Sequence, residues 1–343
     1  MASEVILDGS EGEGGGQILR TALTMSMITG RPFHMKRIRA KRGKPGLMRQ
    51  HLTSVQAAAQ ISGAEARGAA LGSQELHFLP GPIAAGDYSF AIGTAGSTTL
   101  IFQTLMPALL TTGRPFSLVL EGGTHNPHAP SIDFLAKTYL PCLGAMGVAW
   151  DLHLERRGYY PAGGGRWRIA MRPPASLSSL ELIDRGPFQS LEARILWAKL
   201  PPSVPEKEML VLRSRLVLDE ARITVEEDKD SLGPGNAVLL EIRHERITEV
   251  VSAYGERGKS AEAVAEEVVR KAGEYREAGM PVGPHLADQL LVPLVLGGGG
   301  VFRTPPLTLH SRTNIETIGK FLDRDIVTTP VERRAVEVRV RPA

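Results

Sequence analysis

The sequence predicts an α/β protein made of three repeats of one unit, with a smaller αβ module inserted before the third. Three observations carry this. Residues 22–33 (ALTMSMITGRPF) are echoed at 105–116 (LMPALLTTGRPF), so Phe33 and Phe116 fix a period of 83 positions. A fainter third copy, LVPLVLGGGGVF, occupies 291–302; Phe302 follows Phe116 by 186 positions. That interval exceeds one period by roughly 100 residues, which is the insertion. Within each unit a helix-length apolar run, a Gly-containing stop and a short β-rich stretch alternate, the pattern of helices packed on a sheet.

Along the chain, EVILDGS enters as a strand, and DGSEGEGGGQILR (8–20) is a glycine-rich turn leading into the first helix. TGRP stops that helix, because a Pro just past a terminal Gly cannot continue it. A strand and a second helix, LMRQHLTSVQAAAQIS, complete the first unit. The second unit supplies FSLVLEG as strand and SIDFLAKTYLPCLGAMG as helix; the third supplies the β-like run TPPLTL and the helix TNIETIGKFLD. Each unit therefore reads as a glycine-rich turn, an apolar helix, a short strand and a second helix. The insertion is expected over 186–280, leaving 1–185 and 281–343 to the repeats. Inside it SLEARILWAKL and NAVLLEIRHE read as strands, and PEKEMLVLRSRLVLDEA and SAEAVAEEVVRKAGEYREAG as helices. The last has Ser260 as N-cap, acidic residues early and basic ones late, as the helix dipole favours.

Composition bounds the function. The 343 residues are 42% apolar and 22% charged, the balance of a globular chain able to bury a core. No apolar run reaches the roughly 18 residues that span a bilayer, and no secretory signal pattern opens the chain. A cytoplasmic, membrane-free protein is expected. A single cysteine, Cys142, rules out internal disulfides and multi-cysteine zinc sites. The net charge of +3 is mild, but Lys36, Arg37, Arg39, Lys41, Arg42, Lys44 and Arg49 follow one another with no acidic residue between. Such a block is either a phosphate or nucleic-acid contact or a solvated basic edge.

The repeat offset then aligns positions. Thirteen residues before Phe33, Phe116 and Phe302 stand Arg20, Gln103 and Gln289, a polar residue near the start of each first helix. One would be a satisfied core polar group; three in register favour a shared central site. Eight residues after the same phenylalanines stand Lys41, Thr124 and His310. If the units pack around a pseudo-threefold axis, Arg42, His125 and His310 approach one another and the glycine loop. His310 sits in a turn that Thr313 or Asn314 would cap, where an imidazole is a candidate nucleophile or general base. His125 and His128 read as a polar turn rather than a metal pair, while His34, His51, His77, His153 and His244 carry no particular signal.

The glycine loop matches neither familiar nucleotide motif. A Walker loop needs GxxxxGK[ST], and a dinucleotide fingerprint needs G-x-G-x-x-G with an acidic residue about 20 positions on, where this chain is basic. A carboxylate among backbone amides makes sense if a divalent cation sits between Glu13 and a polyphosphate; a plain flexible turn is the alternative.

Taken together, DGSEGEGGGQILRTAL, RAKRGKPGLMRQHL, GSTTLIFQTLMPAL, GGTHNPHAP, YYPAGGG, GPGN, HLADQLLVPL and LHSRTNIETI resemble, in order and over nearly the whole chain, the RNA 3′-terminal phosphate cyclases. The resemblance implies three repeated βαβαβ-type units similar to the C-terminal domain of translation initiation factor 3, and a smaller inserted αβ domain of thioredoxin-like topology. It implies an ATP- and Mg2+- or Mn2+-dependent conversion of an RNA 3′-phosphate into a 2′,3′-cyclic phosphate, through a histidinyl-AMP. It places the nucleophile on His310, the metal ligand on Glu13, and phosphate contacts on Arg20 and Arg42. Gln103, His285, Leu286, Ala287, Asp288 and Gln289 would bind ATP, with Pro130 and Phe134 near the adenine. His285 departs from the Tyr expected in some relatives. Arg39, Lys41, Arg42, Lys44 and Arg49 would hold the RNA 3′-phosphate end, and a homodimer is compatible with this reading. The competing expectations are a cyclase-like ribosome-biogenesis factor without the activity and a purely RNA-binding αβ protein. The presence of His310, Glu13, Arg20, Arg42 and HLADQ argues against both.

Overall fold

The computed structural model describes residues 3–216, 221–331 and 334–342 as a mixed α/β chain whose strands form four small sheets. The first unit runs β1 (Val5–Asp8), α1 (Gln17–Thr29), β2 (Phe33–Lys36), α2 (Arg49–Ser62), β3 (Glu65–Arg67) and β4 (Leu76–Leu79). The second runs β5 (Asp87–Ala91), α3 (Thr98–Leu110), β6 (Phe116–Gly122), α4, β7 (Ala149–Arg156) and β8 (Gly165–Arg172). Here α4 is a succession of Ile132–Phe134, a π-turn segment Leu135–Tyr139, and Leu140–Ala145. The third starts with β9 (Leu180–Leu182) and resumes after the insertion with α7 (Pro284–Leu296), β14 (Gly300–Thr304), α8 (Leu309–Phe321), β15 (Ile326–Val331) and β16 (Ala335–Val340).

The sheets of these units share one connectivity. Their orders are β1-β2-β4-β3, β5-β6-β8-β7 and β9-β14-β16-β15, with the first pair parallel and the others antiparallel. Phe33, Phe116 and Phe302 lie on the corresponding strands β2, β6 and β14 and are all buried. Each unit has one strand more than the βαβαβ pattern that the resemblance implies. Strands β3, β4 and β9 are only three or four residues long, too short to show alternation, whereas the second unit ends on two strands of eight residues, β7 and β8. The TPPLTL run is not a strand: β14 ends at Thr304, and the chain turns before Thr308 caps α8.

The inserted residues form β10 (Phe188–Ala198), α5 (Ser203–Arg215), β11 (Ala221–Glu227), β12 (Gly235–His244), β13 (Thr248–Tyr254) and α6 (Ala261–Ala278), with sheet order β11-β10-β12-β13. Ser260 caps α6 as expected, its hydroxyl accepting from the Ala263 N–H at 3.1 Å. Part of the helix expected over 205–221 lies outside the described residues. The strands β11 and β13 were not expected. In β11 charged residues interrupt the apolar pattern (ARITVEE).

Helices α1, α3 and α7 are the apolar cores of their units. Leu19, Leu23, Leu105, Leu109, Leu290 and Leu294 all lie in one continuous hydrophobic cluster. A separate cluster under α5 and α6 serves the insertion. Burial of this kind contributes about 25 cal/mol per Å2 of apolar surface.

Candidate active site

Helices α1 and α7 both pack against α8, and the loop Asp8–Gly16 meets α8 at Thr313. Positive φ at Gly12 and Gly14 lets that loop fold tightly, and each glycine is crowded where a side chain would project. A Cβ on Gly12 would run into Thr313, and one on Gly14 would lie 3.2 Å from Lys41 Cδ. Gly16 is the N-cap of α1 and offers no side chain, so the first N–H groups of α1 have no side-chain acceptor there. A helix N-terminus of that kind is a natural seat for anionic oxygens.

Glu13 is the hub. Its side chain is only 9% exposed, its backbone N–H donates to Thr313 Oγ1 at 3.0 Å, and Arg42 closes on its Oε1. His310 Nε2 stands 4.0 Å from the same oxygen. Glu13 Oε2 is buried and has no hydrogen-bond partner among the described residues. A carboxylate oxygen left without a donor is a ligand atom of the kind a hard divalent cation takes.

His310 lies in the first turn of α8, not in a turn before it. The cap is Thr308, whose hydroxyl accepts from the Ser311 N–H at 3.1 Å, while Thr313 and Asn314 serve other partners. Burial, and then the neighbouring charges of Arg20 and Arg42, hold the imidazolium of His310 below its ordinary range. The ring is therefore neutral near pH 7 and half its side chain is open, as a nucleophile requires.

Arg20 donates to Gln17 Oε1 at 2.7 Å, and burial lowers its guanidinium to about 10, with Asp288 opposing the shift. Asp288 is pushed up to about 7 by burial against the pull of Arg20. Its carbonyl accepts from Asn314 Nδ2 at 2.7 Å, and Asn314 Oδ1 accepts from Thr21 at 2.7 Å, which ties α1, α7 and α8 together. Gln103 donates to Gln289, and Gln289 donates to the His285 carbonyl at 2.7 Å. Thr24 of α1 donates to the Thr104 carbonyl of α3 at 2.7 Å. The polar positions that the repeat alignment singles out therefore line the junction of the three first helices.

Other expected residues are placed differently. Leu286 and Ala287 are fully in the core, so only their backbone can face a ligand. His285 is held below its ordinary range by burial, then Lys271 and His310. Phe134 is packed in the main core, and Pro130 is engaged through its carbonyl, which accepts from Thr99 at 2.8 Å. Arg39 is spent locally, donating to the carbonyls of Lys44 and Gly46 at 2.8 and 2.9 Å. Lys41, Arg42, Lys44 and Arg49 are exposed. His125 is not drawn to Arg42 and His310: it is buried, with Nε2 2.8 Å from Asp133 and Nδ1 2.9 Å from Thr124. The expected grouping of the three equivalent turns fails because the second unit ties its histidine to its own Thr124 and Asp133.

His51 joins the site without a signal in the sequence beyond its helix position. It is the third residue of α2, and the Met48 N–H donates to its Nδ1 at 3.3 Å. That leaves the proton on Nε2, which would be 2.5 Å from a Cβ placed on Gly16, with Arg20 Nη1 at 2.7 Å. Burial, then Arg20 and Arg39, drop His51 to about 3, so it is a neutral donor aimed at the loop.

Comparison with known proteins gives concordant matches. The family model described as RNA 3′-terminal phosphate cyclase matches residues 11–328. A Koribacter versatilis protein named RNA 3′-terminal phosphate cyclase is 50% identical over 93% of this chain and 90% of its own length. One of the same name from Ralstonia nicotianae is 49% identical over 98% of this chain and 96% of its own. A third, from Salmonella enteritidis, is 48% identical over 94% of both. Among solved structures, the enolpyruvyl transferase NikO from Streptomyces tendae overlaps 98% of this chain and 48% of its own. With a TM-score of 0.39 and 9% identity, it has no bearing on the site.

Proposed function

Since this chain belongs to the RNA 3′-terminal phosphate cyclase family, we propose that it converts an RNA 3′-phosphate end into a 2′,3′-cyclic phosphate at the expense of ATP. The observation that carries this reading is the neutral His310 imidazole at the N-terminus of α8, 4.0 Å from Glu13 and under the influence of Arg20 and Arg42.

His310 Nε2 attacks the α-phosphorus of ATP, a P–N bond forms, and the bond to the β-phosphate breaks with release of pyrophosphate. An oxygen of the RNA 3′-phosphate then attacks the same phosphorus and His310 leaves, giving RNA(3′)pp(5′)A. The adjacent 2′-OH attacks the 3′-phosphorus, loses its proton, and expels AMP. A phosphate monoester alone has only oxide to expel; adenylylation supplies a stable leaving group and divides one hard displacement into easier ones. Arg20 and Arg42 offset the charge of the phosphates, the α1 N-terminus and the His51 Nε2–H donate to their oxygens, and Gln103 and Gln289 fix the nucleotide. Glu13 would hold Mg2+ or Mn2+ through its free oxygen, and such an ion supplies charge neutralisation on the polyphosphate. The exposed Lys41, Arg42, Lys44 and Arg49 suit the RNA backbone.

The shared sheet order of the three units supports reading them as copies like the C-terminal domain of translation initiation factor 3, spanning 1–185 and 281–343. The βαβ-ββα succession of β10 to α6 supports a thioredoxin-like insertion over 186–280. A lone buried thiol, Cys142, is compatible with a reducing cytoplasm.

The test is labelling. Protein incubated with α-labelled ATP and Mg2+ acquires a covalent label that is acid-labile and base-stable, as a phosphoramidate is, and His310→Ala abolishes it. A wild type that takes no label, or an alanine variant that labels equally, overturns the chemistry.

A further inference from the structure

Strands β1, β2 and β4 lie side by side, and alternation sends Val5, Leu7, Phe33, Met35, Leu76 and Phe78 into the main core under the helices. The opposite face therefore receives Ile6, His34 and His77. They are aligned in register, Ile6 beside His34 and His34 beside His77. The two imidazoles stack with centroids 3.6 Å apart at 20°. Glu75, just before β4, places Oε1 2.6 Å from His34 Nε2 and 4.0 Å from His77 Nε2. Glu4, just before β1, reaches to 3.7 Å from His77 Nδ1.

We propose that His34, Glu75 and His77 are a binding site for a transition-metal cation of the Zn(II) type, on the face of the first sheet turned away from the nucleotide pocket. Two imidazole nitrogens and one carboxylate oxygen are a zinc donor set, and the fourth position of such sites is commonly water. One donor atom from each residue lies within 4.8 Å of the others. Ligands about 2.1 Å from a tetrahedral ion stand roughly 3.4 Å apart. The observed 2.6 and 4.0 Å bracket that spacing, and coordination by both rings requires the stacked planes to tilt until their in-plane nitrogen lone pairs converge, a side-chain rotation that leaves the sheet in place. His34 is fixed by burial, while Glu75 and His77 are half-open, which leaves room for the water. Glu4 stands behind His77 on the far ring nitrogen, the arrangement that orients a metal-bound histidine through a carboxylate. Imidazole donors select against Mg2+, which separates this site from the oxygen-donor site at Glu13. A bound ion ties β2 to β4 and stabilises the fold by mass action.

Co(II) is the direct probe. Tag-free protein stripped with chelator and titrated with CoCl2 should take up about one equivalent with intense tetrahedral-type visible bands, which ZnCl2 displaces. His77→Leu and Glu75→Gln, changes at half-exposed positions, should weaken binding at least on the order of tenfold. ZnCl2 should raise the melting temperature of the wild type and not that of His77→Leu. His77→Leu should still accept label from ATP, and His310→Ala should still bind Co(II). The proposal is overturned by weak octahedral-type bands, by unchanged binding in His77→Leu, or by loss of binding in His310→Ala.

Discussion

At the scale of single residues, the site works by keeping ionisable groups in uncharged or tightly held forms. His310 and His51 are both kept neutral, by burial first and by nearby arginines second. This fixes a pH dependence. A group whose imidazolium is disfavoured keeps its lone pair as pH falls through the ordinary histidine value of about 6.5. The rate of ATP labelling should therefore hold through that pH and fall only below it. Burial and Arg20 remain when Arg42 is removed, but one lowering influence is gone, so Arg42→Gln should move the inflection to higher pH, toward the ordinary value. A wild-type rate already declining above about 6.5, or an Arg42→Gln profile displaced to lower pH, contradicts the assigned cause. The acidic inflection was not legible in the sequence, because it depends on which arginines fold onto His310. For the same reason His34 and His77 read as featureless: 43 positions separate them, and only the β2–β4 register makes them neighbours. Glu13, by contrast, stood out as a carboxylate among glycines, a local property of the chain.

At the scale of elements, the position of α7 sets where His285, Asp288 and Gln289, the residues proposed to bind ATP, stand. Its N-cap, Gly283, sits against Glu249 of β13, a fully buried carboxyl that burial pushes up to about 8. A Cβ on Gly283 would lie 2.5 Å from Glu249 Oε1 and 2.9 Å from its Cδ. The backbone there, at φ −67°, suits any residue, so the conflict is one of volume alone. Gly283→Ala should cost about 1–3 kcal/mol by overpacking and raise the KM for ATP several-fold as α7 shifts. Thermal melting and ATP-dependence of the labelling rate check this; a variant matching wild type in both dissociates α7 placement from that contact. Helices α1, α3 and α7 were readable from their apolar runs and glycine stops, since such signals are local. The strands β3, β4 and β9 were not, because three or four residues joined by sheet partners distant in sequence carry no periodicity of their own. His125 was misjudged for a similar reason: its partner Asp133 is local, but Asp133 is oriented by Arg194 of the insertion.

At the scale of the whole molecule, the insertion is bolted to the second unit by charge. Asp133 accepts from Arg194 at 2.5 Å, Arg157 donates to Asp228 and Glu226 at 2.8 and 3.0 Å, Tyr159 donates to Asp228, and Lys137 pairs with Glu241. Burial drives Asp133 upward, but His125, Arg194 and Arg157 outweigh it and hold the carboxyl well below the usual range. An ion pair this enclosed is costly to break from one side. Arg194→Ala should destabilise the junction by about 3–5 kcal/mol and split calorimetric unfolding into two transitions, the insertion melting first. A single transition at the wild-type temperature would show that the two bodies are held together by something else.

The bond from the Glu13 N–H to Thr313 Oγ1 joins positions 300 apart in the chain. Its consequence is temporal. Translation delivers the glycine loop about 300 residues before the helix bearing His310, so a nascent chain holds one half of the site well before the other. A stop before α8 leaves a polypeptide with the glycine loop and without His310, the residue proposed as nucleophile.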